Sequence, residues 1–109
     1  MKEVSAQEAF AKIQNGEAIG IDVREAMEWQ AGRAELANVI FNPLSGFDTQ
    51  KIPQDKPIIF ICRSGNRSGQ VTQQLETYGL DVANMVGGMQ AWEAAGLPMS
   101  SENGSPYVA

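Results

Sequence analysis

The sequence predicts an α/β domain with a mostly parallel sheet and helices on both faces. Short apolar runs near residues 18–23, 39–41, 58–61 and 81–86 have the length and composition of strands. Segments with helical spacing or helix caps separate them, near residues 5–14, 25–31, 67–78 and 89–95. Strands alternating with helices are the pattern of a parallel sheet covered on both sides. With 109 residues the chain makes one domain with a single core.

The elements follow in order. Ser5 and Glu8 have the spacing of a capping box. The helix they open should run to about Gln14, with Ala9, Phe10 and Ile13 on its apolar stripe and Asn15-Gly16 at its end. Val4 just before suits a short edge strand. Residues 18–23 (AIGIDV) read as a strand with an unexpected carboxylate, Asp22, at its end. Asp22 is expected either to cap the next helix or to pair with Arg24. That helix should span residues 25–31, with Glu28 four residues after Arg24, the weaker orientation for such a pair. Met27 and Trp29 are expected to pack on neighbouring elements. Residues 32–38 read as irregular, Val39–Phe41 as a third apolar run, and residues 44–49 as a loop with at most one helical turn. Asp55-Lys56-Pro57 turns the chain into the Ile58–Ile61 strand. In the helix expected at 67–78, Val71, Leu75 and Tyr78 mark the buried face and Gly79 the end. Gly87-Gly88 permits a sharp turn into the last helix, which ends at Gly96-Leu97-Pro98. The domain is expected to cover residues 1–99. Residues 100–109, polar with Gly and Pro, read as a flexible tail.

Composition excludes several functions. A net charge of −5 and an isoelectric point near 4.6 do not suit a nucleic-acid binder. One cysteine makes no internal disulfide, and a chain with one cysteine and no histidine is not expected to hold a transition metal or another cofactor. The N-terminus lacks the apolar centre of a signal peptide, and no apolar run approaches the roughly 20 residues that span a bilayer. A cytoplasmic monomer is the expectation.

The chemistry is concentrated at Cys62. The thiol follows directly on the Ile58–Ile61 strand and precedes Arg63, Ser64, Gly65, Asn66, Arg67 and Ser68, where the next helix begins. The first turn of a helix has N–H groups without intrahelical partners and carries partial positive charge. Consecutive loop N–H groups can form a concave anion nest. A cysteine facing such a nest has a stabilised thiolate and raised reactivity. A buried cysteine with a purely structural role needs neither two arginines nor a glycine beside it. In a parallel sheet ligands bind at the carboxyl ends of the strands, where Cys62 lies.

Three stretches resemble the rhodanese-like sulfurtransferase family. Asp22-Val23-Arg24 with Glu28-Trp29 resembles its DVR…E[YW] signature. Residues 62–68 (CRSGNRS) resemble its active-site loop, and residues 87–98 (GGMQAWEAAGLP) its GG…AW…GLP signature. The resemblance covers about residues 4–98. It implies a three-layer α/β/α domain with a five-stranded sheet. It also implies transfer of a sulfane sulfur from thiosulfate or a persulfide to cyanide or a thiol. Cys62 is then the nucleophile that carries the sulfur as a persulfide. The N–H groups of residues 63–68 cradle the outer sulfur, and Arg63 and Arg67 orient an anionic donor or acceptor. Asp22, Arg24 and Glu28 form a supporting network. Partners are a small anionic sulfur donor and a thiol or persulfide-carrying protein. The family's Gly-His-Ile-Pro-Gly-Ala stretch is absent. Residues 32–39 (GRAELANV) stand in its place, with Arg33 or Glu35 at the histidine position. Two rivals remain: a Cys-dependent phosphatase or arsenate reductase, whose C-x5-R loop would need arginine where Ser68 stands, and a non-catalytic partner-binding or thiol redox-sensing module.

Overall fold

The computed structural model describes all 109 residues. The chain runs β1 (Glu3–Val4), α1 (Ala6–Gln14), β2 (Ile19–Asp22), α2 (Ala26–Ala31), β3 (Arg33–Ala34), β4 (Val39–Phe41), β5 (Ile58–Ile61), α3 (Asn66–Glu76), β6 (Val82–Met85), α4 (Gly88–Ala94) and β7 (Met99–Ser100). Two single 3-10 turns, Leu44–Gly46 and Thr49–Lys51, lie between β4 and β5. The main sheet has the order β1-β6-β5-β2-β4 and every pairing in it is parallel. β3 and β7 form a separate antiparallel pair. No helix is long and apolar enough to cross a membrane.

Strand alternation divides the core into two layers. Ile59 and Ile61 of β5 face the side covered by α1 and α4, where Ala9, Ile13, Met89 and Trp92 are buried. Ile58 and Phe60 face the other side, against Val71 of α3 and Ile52 of the 3-10 segment. Successive strand side chains point to opposite faces, so four consecutive apolar residues serve two layers at once. The cap expected on α1 is present: Glu8 N–H donates to Ser5 Oγ at 3.1 Å and Ser5 N–H to Glu8 Oε1 at 3.2 Å.

β2 and β5 are neighbours, but the chain leaves them in opposite directions, β2 toward β4 and β5 toward β6. Such a switch point opens a crevice at the carboxyl ends of the two strands. Cys62 follows β5 there, and Asp22 ends β2.

Several local expectations differ from the structure. α3 starts at Asn66 and ends at Glu76. Tyr78 lies past its end and is 80% exposed rather than buried, because the chain turns away at Gly79 (φ 82°). Met27 is also 80% exposed, whereas Trp29 stacks on Phe41 with ring centroids 4.9 Å apart. The segment read as irregular holds β3. Its partner β7 crosses the expected domain boundary, since Ser100 pairs with Arg33. Residues 100–109, read as a flexible tail, lie against the domain. Glu102 N–H donates to Gln30 O and Tyr107 N–H to Ala31 O, at 3.0 and 3.1 Å. Gly32 makes room for this strap: a Cβ there would stand 2.3 Å from Tyr107 O.

Trp92 anchors the layer under α1 and α4. It is fully buried, meets Phe10 edge to face at 5.7 Å, and donates from Nε1 to Pro98 O at 2.8 Å. Trp92→Ala is expected to cost about 3–5 kcal/mol, a large share of a small domain's stability. Urea unfolding of the two proteins checks this through the shift in midpoint.

Candidate active site

The loop after β5 is short because α3 begins only four residues beyond Cys62. Gly65 makes the turn at φ 99°, a left-handed conformation closed to most side chains. Its N–H donates to Cys62 Sγ at 3.0 Å, and Ser68 Oγ lies 3.2 Å from the same sulfur. Burial pushes the thiol up. The Ser68 hydroxyl and the backbone N–H groups of Ser68, Gly65 and Ser64 outweigh it and hold the thiol below its ordinary value. Cys62 is only 1% exposed, at the base of the loop.

Three elements hold the loop. Met89 N–H donates to Cys62 O at 2.8 Å and Gln90 N–H to Arg63 O at 3.0 Å, so the start of α4 caps the end of β5. From β6, Asn84 Nδ2 donates to Gly65 O at 3.1 Å, while Asn84 Oδ1 lies 2.6 Å from Ser68 Oγ. From α2, both oxygens of Glu28 accept from Arg67, each at 2.8 Å. Asn84 had no part in the sequence reading. A polar residue inside an otherwise apolar strand was the available signal.

The supporting residues divide into two pairs. Asp22 pairs with Arg24 rather than capping α2, accepting from Nε at 3.0 Å and from Nη2 at 2.8 Å. Arg24 Nη2 also donates to Gly32 O at 2.8 Å. Both side chains are buried. Glu28 turns to Arg67, not to Arg24, and also accepts from Glu25 N–H at 3.0 Å, which caps α2.

The loop arginines reach to other segments of the chain. Arg67 is engaged by Glu28, and its nearness to Cys62 is felt as an attraction between guanidinium and thiolate. Arg63 donates from Nε to Ala109 O at 2.9 Å, and the Gln90 amide oxygen, turned toward it, accepts from Nη1 at 3.0 Å. Both guanidinium groups thus have protein partners. Arg33 packs over the Trp29 ring at 5.0 Å and pairs with Glu102 at 3.2 Å. Ser64 and Asn66 complete the turn, Ser64 exposed and Asn66 opening α3.

The largest crevice, about 630 Å³, lies at the opposite end of the sheet between Lys2, Lys12, Glu17 and Asp81. It has no thiol or hydroxyl side chain in its lining, whereas the one cysteine stands in the loop after β5. Two smaller crevices flank that loop, one beside Arg67 and Gln70, the other beside Gly65 and Asn84.

The family model for the rhodanese-like domain matches residues 5–95. The chain belongs to the rhodanese-like family. It is 36% identical over 99 residues to YtwF of Bacillus subtilis, covering 90% of this chain and 96% of that one. It is 32% identical over 103 residues to the thiosulfate sulfurtransferase GlpE of Actinobacillus succinogenes, covering 94% and 93%. An uncharacterized Synechocystis protein is 33% identical over 96 residues, 85% of this chain, and the chain spans about half (52%) of its length. The rhodanese-related protein of Thermoplasma volcanium has the same fold, with a TM-score of 0.78 at 29% identity over 92% of this chain and 98% of that one. The rhodanese-like sulfurtransferase family and its α/β architecture are therefore those expected from the three signatures.

The Glu28–Arg67 pair makes the loop sensitive to acid. The Arg67 hydrogen bonds hold Glu28 below the usual carboxylate range, against the opposing effect of burial. A carboxylate with a depressed folded-state pKa contributes stability above its unfolded pKa and loses it as pH falls through the folded one. The wild type should therefore melt above Glu28→Gln at pH 7. The gap should close as pH is lowered through and below the carboxylate range, as read by melting temperature against pH.

Proposed function

We propose that the protein transfers sulfane sulfur through a persulfide on Cys62. The carrying observation is the Cys62 sulfur held in a nest of loop N–H groups at a parallel-sheet switch point, with its thiol pulled below the ordinary value. With thiosulfate as donor, the Cys62 thiolate attacks the outer sulfur. A new S–S bond forms, the sulfur–sulfur bond of thiosulfate breaks, and its electron pair leaves on sulfite. Cys62 then bears a persulfide anion. Cyanide or a thiolate attacks the outer sulfur of that persulfide, and the electron pair of the breaking bond returns to Cys62 Sγ as thiolate. The nest is suited to this cycle because the negative charge stays on sulfur throughout, on Sγ or one bond beyond it.

The residues around the thiol take distinct roles in this reading. The N–H groups of residues 63–68 cradle the outer sulfur. Arg63 and Arg67 set the positive field at the rim. Glu28 limits that field by engaging Arg67, and the Asp22–Arg24 pair keeps the floor of the crevice rigid. Thiosulfate concentrates its two charges at the reacting group, whereas glutathione persulfide carries its carboxylates away from the sulfur and draws less on that field.

Intact-mass measurement after incubation with thiosulfate, and in parallel with glutathione persulfide, tests the proposal. The wild type should gain the mass of one sulfur atom, cyanide or dithiothreitol should remove it, and Cys62→Ser should gain none. No adduct with either donor would sink the proposal and favour a binding or redox-sensing thiol. Donor choice is tested at Glu28. Glu28→Gln keeps an acceptor for Arg67 and the α2 cap but raises the local charge by one. Its KM for thiosulfate should fall about threefold to tenfold at low ionic strength, less so at high salt, with kcat nearly unchanged. Its KM for glutathione persulfide should move less.

A further inference from the structure

Ser68 has one hydroxyl proton and two neighbours that compete for it. Its Oγ lies 2.6 Å from Asn84 Oδ1 and 3.2 Å from Cys62 Sγ. The opposite end of the amide fixes the orientation of Asn84. Nδ2 donates to Gly65 O at 3.1 Å, where an amide oxygen would face another oxygen. Oδ1 therefore faces Ser68. An amide oxygen brings no proton, so a contact of 2.6 Å requires the hydroxyl to donate to it. Ser68, Asn84 and Cys62 are all buried, where an unmet donor or acceptor is costly.

We infer that Asn84 is a positioning residue for Cys62, acting through Ser68: it holds the Ser68 proton while sulfur is neutral and yields it when the thiolate forms. In the resting state the Cys62 S–H donates to Ser68 Oγ, and the Ser68 O–H donates to Asn84 Oδ1. When the thiol proton leaves to solvent, the hydroxyl rotates about Cβ–Oγ and donates to the sulfur anion. Asn84 Oδ1 is then left without its donor. When Sγ bonds to a second sulfur, the charge moves outward to the loop N–H groups and the hydroxyl returns to Asn84. This last step rests on the persulfide reading above; the first two concern the thiol alone. Asn84 thus disfavours the free thiolate relative to the states before and after it. The thiolate it leaves is more basic and a stronger nucleophile for its outgoing bond.

The charged groups near the thiol and Asn84 are Arg63 of the loop, Arg67 of α3 with Glu28 of α2, the Asp22–Arg24 pair at the end of β2, and, from the strand beside β6, Glu3 with the Met1 amino group that pairs with Glu76. β6 and the start of α4 bring no ionisable side chain. None of these charges changes when Asn84 is replaced by a neutral residue.

The test is the pH dependence of Cys62 alkylation by iodoacetamide in the wild type, Asn84→Ala, Ser68→Ala and the double variant. Removing Asn84 should move the midpoint about one pH unit further toward acid when Ser68 is present than when it is alanine, or about tenfold more thiolate on the acid side. Equal shifts in the two backgrounds would leave Asn84 only its anchor on Gly65 and would overturn the inference, as would a shift toward base that requires Ser68. If Asn84→Ala fails to fold by circular dichroism, the wild type decides. The Asn84 carbonyl-carbon resonance should titrate with the alkylation midpoint, and in Ser68→Ala it should not; a resonance that stays still in the wild type rejects the relay. Alkylation reads the thiol with any sulfur donor or none, so failed sulfur loading leaves this result standing.

Discussion

The site depends on how closely the start of α4 approaches the end of β5. Met89 and Gln90 present helix N–H groups that have no partner within α4, and they donate to the carbonyls of Cys62 and Arg63. The approach leaves no space for a side chain at Gly88. A Cβ there would lie 2.4 Å from Cys62 O and 2.6 Å from Arg63 O, and its φ of +56° is itself a glycine conformation. A consequence follows from peptide planarity. A carbonyl aimed at α4 sends the N–H of the same peptide the other way. With the carbonyls of Cys62 and Arg63 committed to α4, the N–H groups of Arg63 and Ser64 turn to the opposite side of the loop. The polarity of the nest is thus imposed from behind, by a helix that carries none of the reacting groups.

The buried Asp22–Arg24 pair acts on the other wall. Removing two charges from water is expensive, and Arg24 Nη1 is buried without a partner, so the pair is weak evidence for stability as such. What it supplies is geometry. One side chain ties the end of β2 to the carbonyl of Gly32, which closes α2. α2 has no buried residue of its own and is positioned by this tie, by the Trp29–Phe41 stack and by the strap of residues 101–109. The position of α2 sets the position of Glu28, and through Glu28 that of Arg67.

Local signals made much of this legible in sequence. Val39–Phe41 and Ile58–Ile61 are legible to the residue because short apolar runs with turn residues at both ends leave little freedom. The capping box fixed the start of α1. What was lost depended on contacts between distant segments. β3 and β7 are two-residue strands that exist only by pairing with each other. The polar composition of residues 100–109 resembles a loose tail, yet backbone bonds to Gln30 and Ala31 hold it, and backbone groups carry no compositional trace. Helical spacing places Tyr78 on the buried face only if α3 is carried two residues past its end at Glu76. The arginines of the loop were recognised, but their partners Glu28 and Gln90 come from other elements.

Helix geometry explains what one residue of loop length changes beside the sulfur. Successive residues of α3 project about 100° apart. Arg67 projects toward α2 and meets Glu28, while Ser68, the next residue, is buried against Cys62 Sγ at 3.2 Å. In a C-x5-R loop the arginine would occupy the position of Ser68 and bring a guanidinium over the sulfur. Such a donor fork matches the several oxygens of a tetrahedral anion. A hydroxyl there contributes one donor, already shared with Asn84, and adds no net charge beside the thiol. An anion at Cys62 would therefore meet backbone dipoles and one hydroxyl, arranged around one atom. That arrangement fits a charge moving from Sγ to a single sulfur beyond it, and it offers little to a bound phosphate.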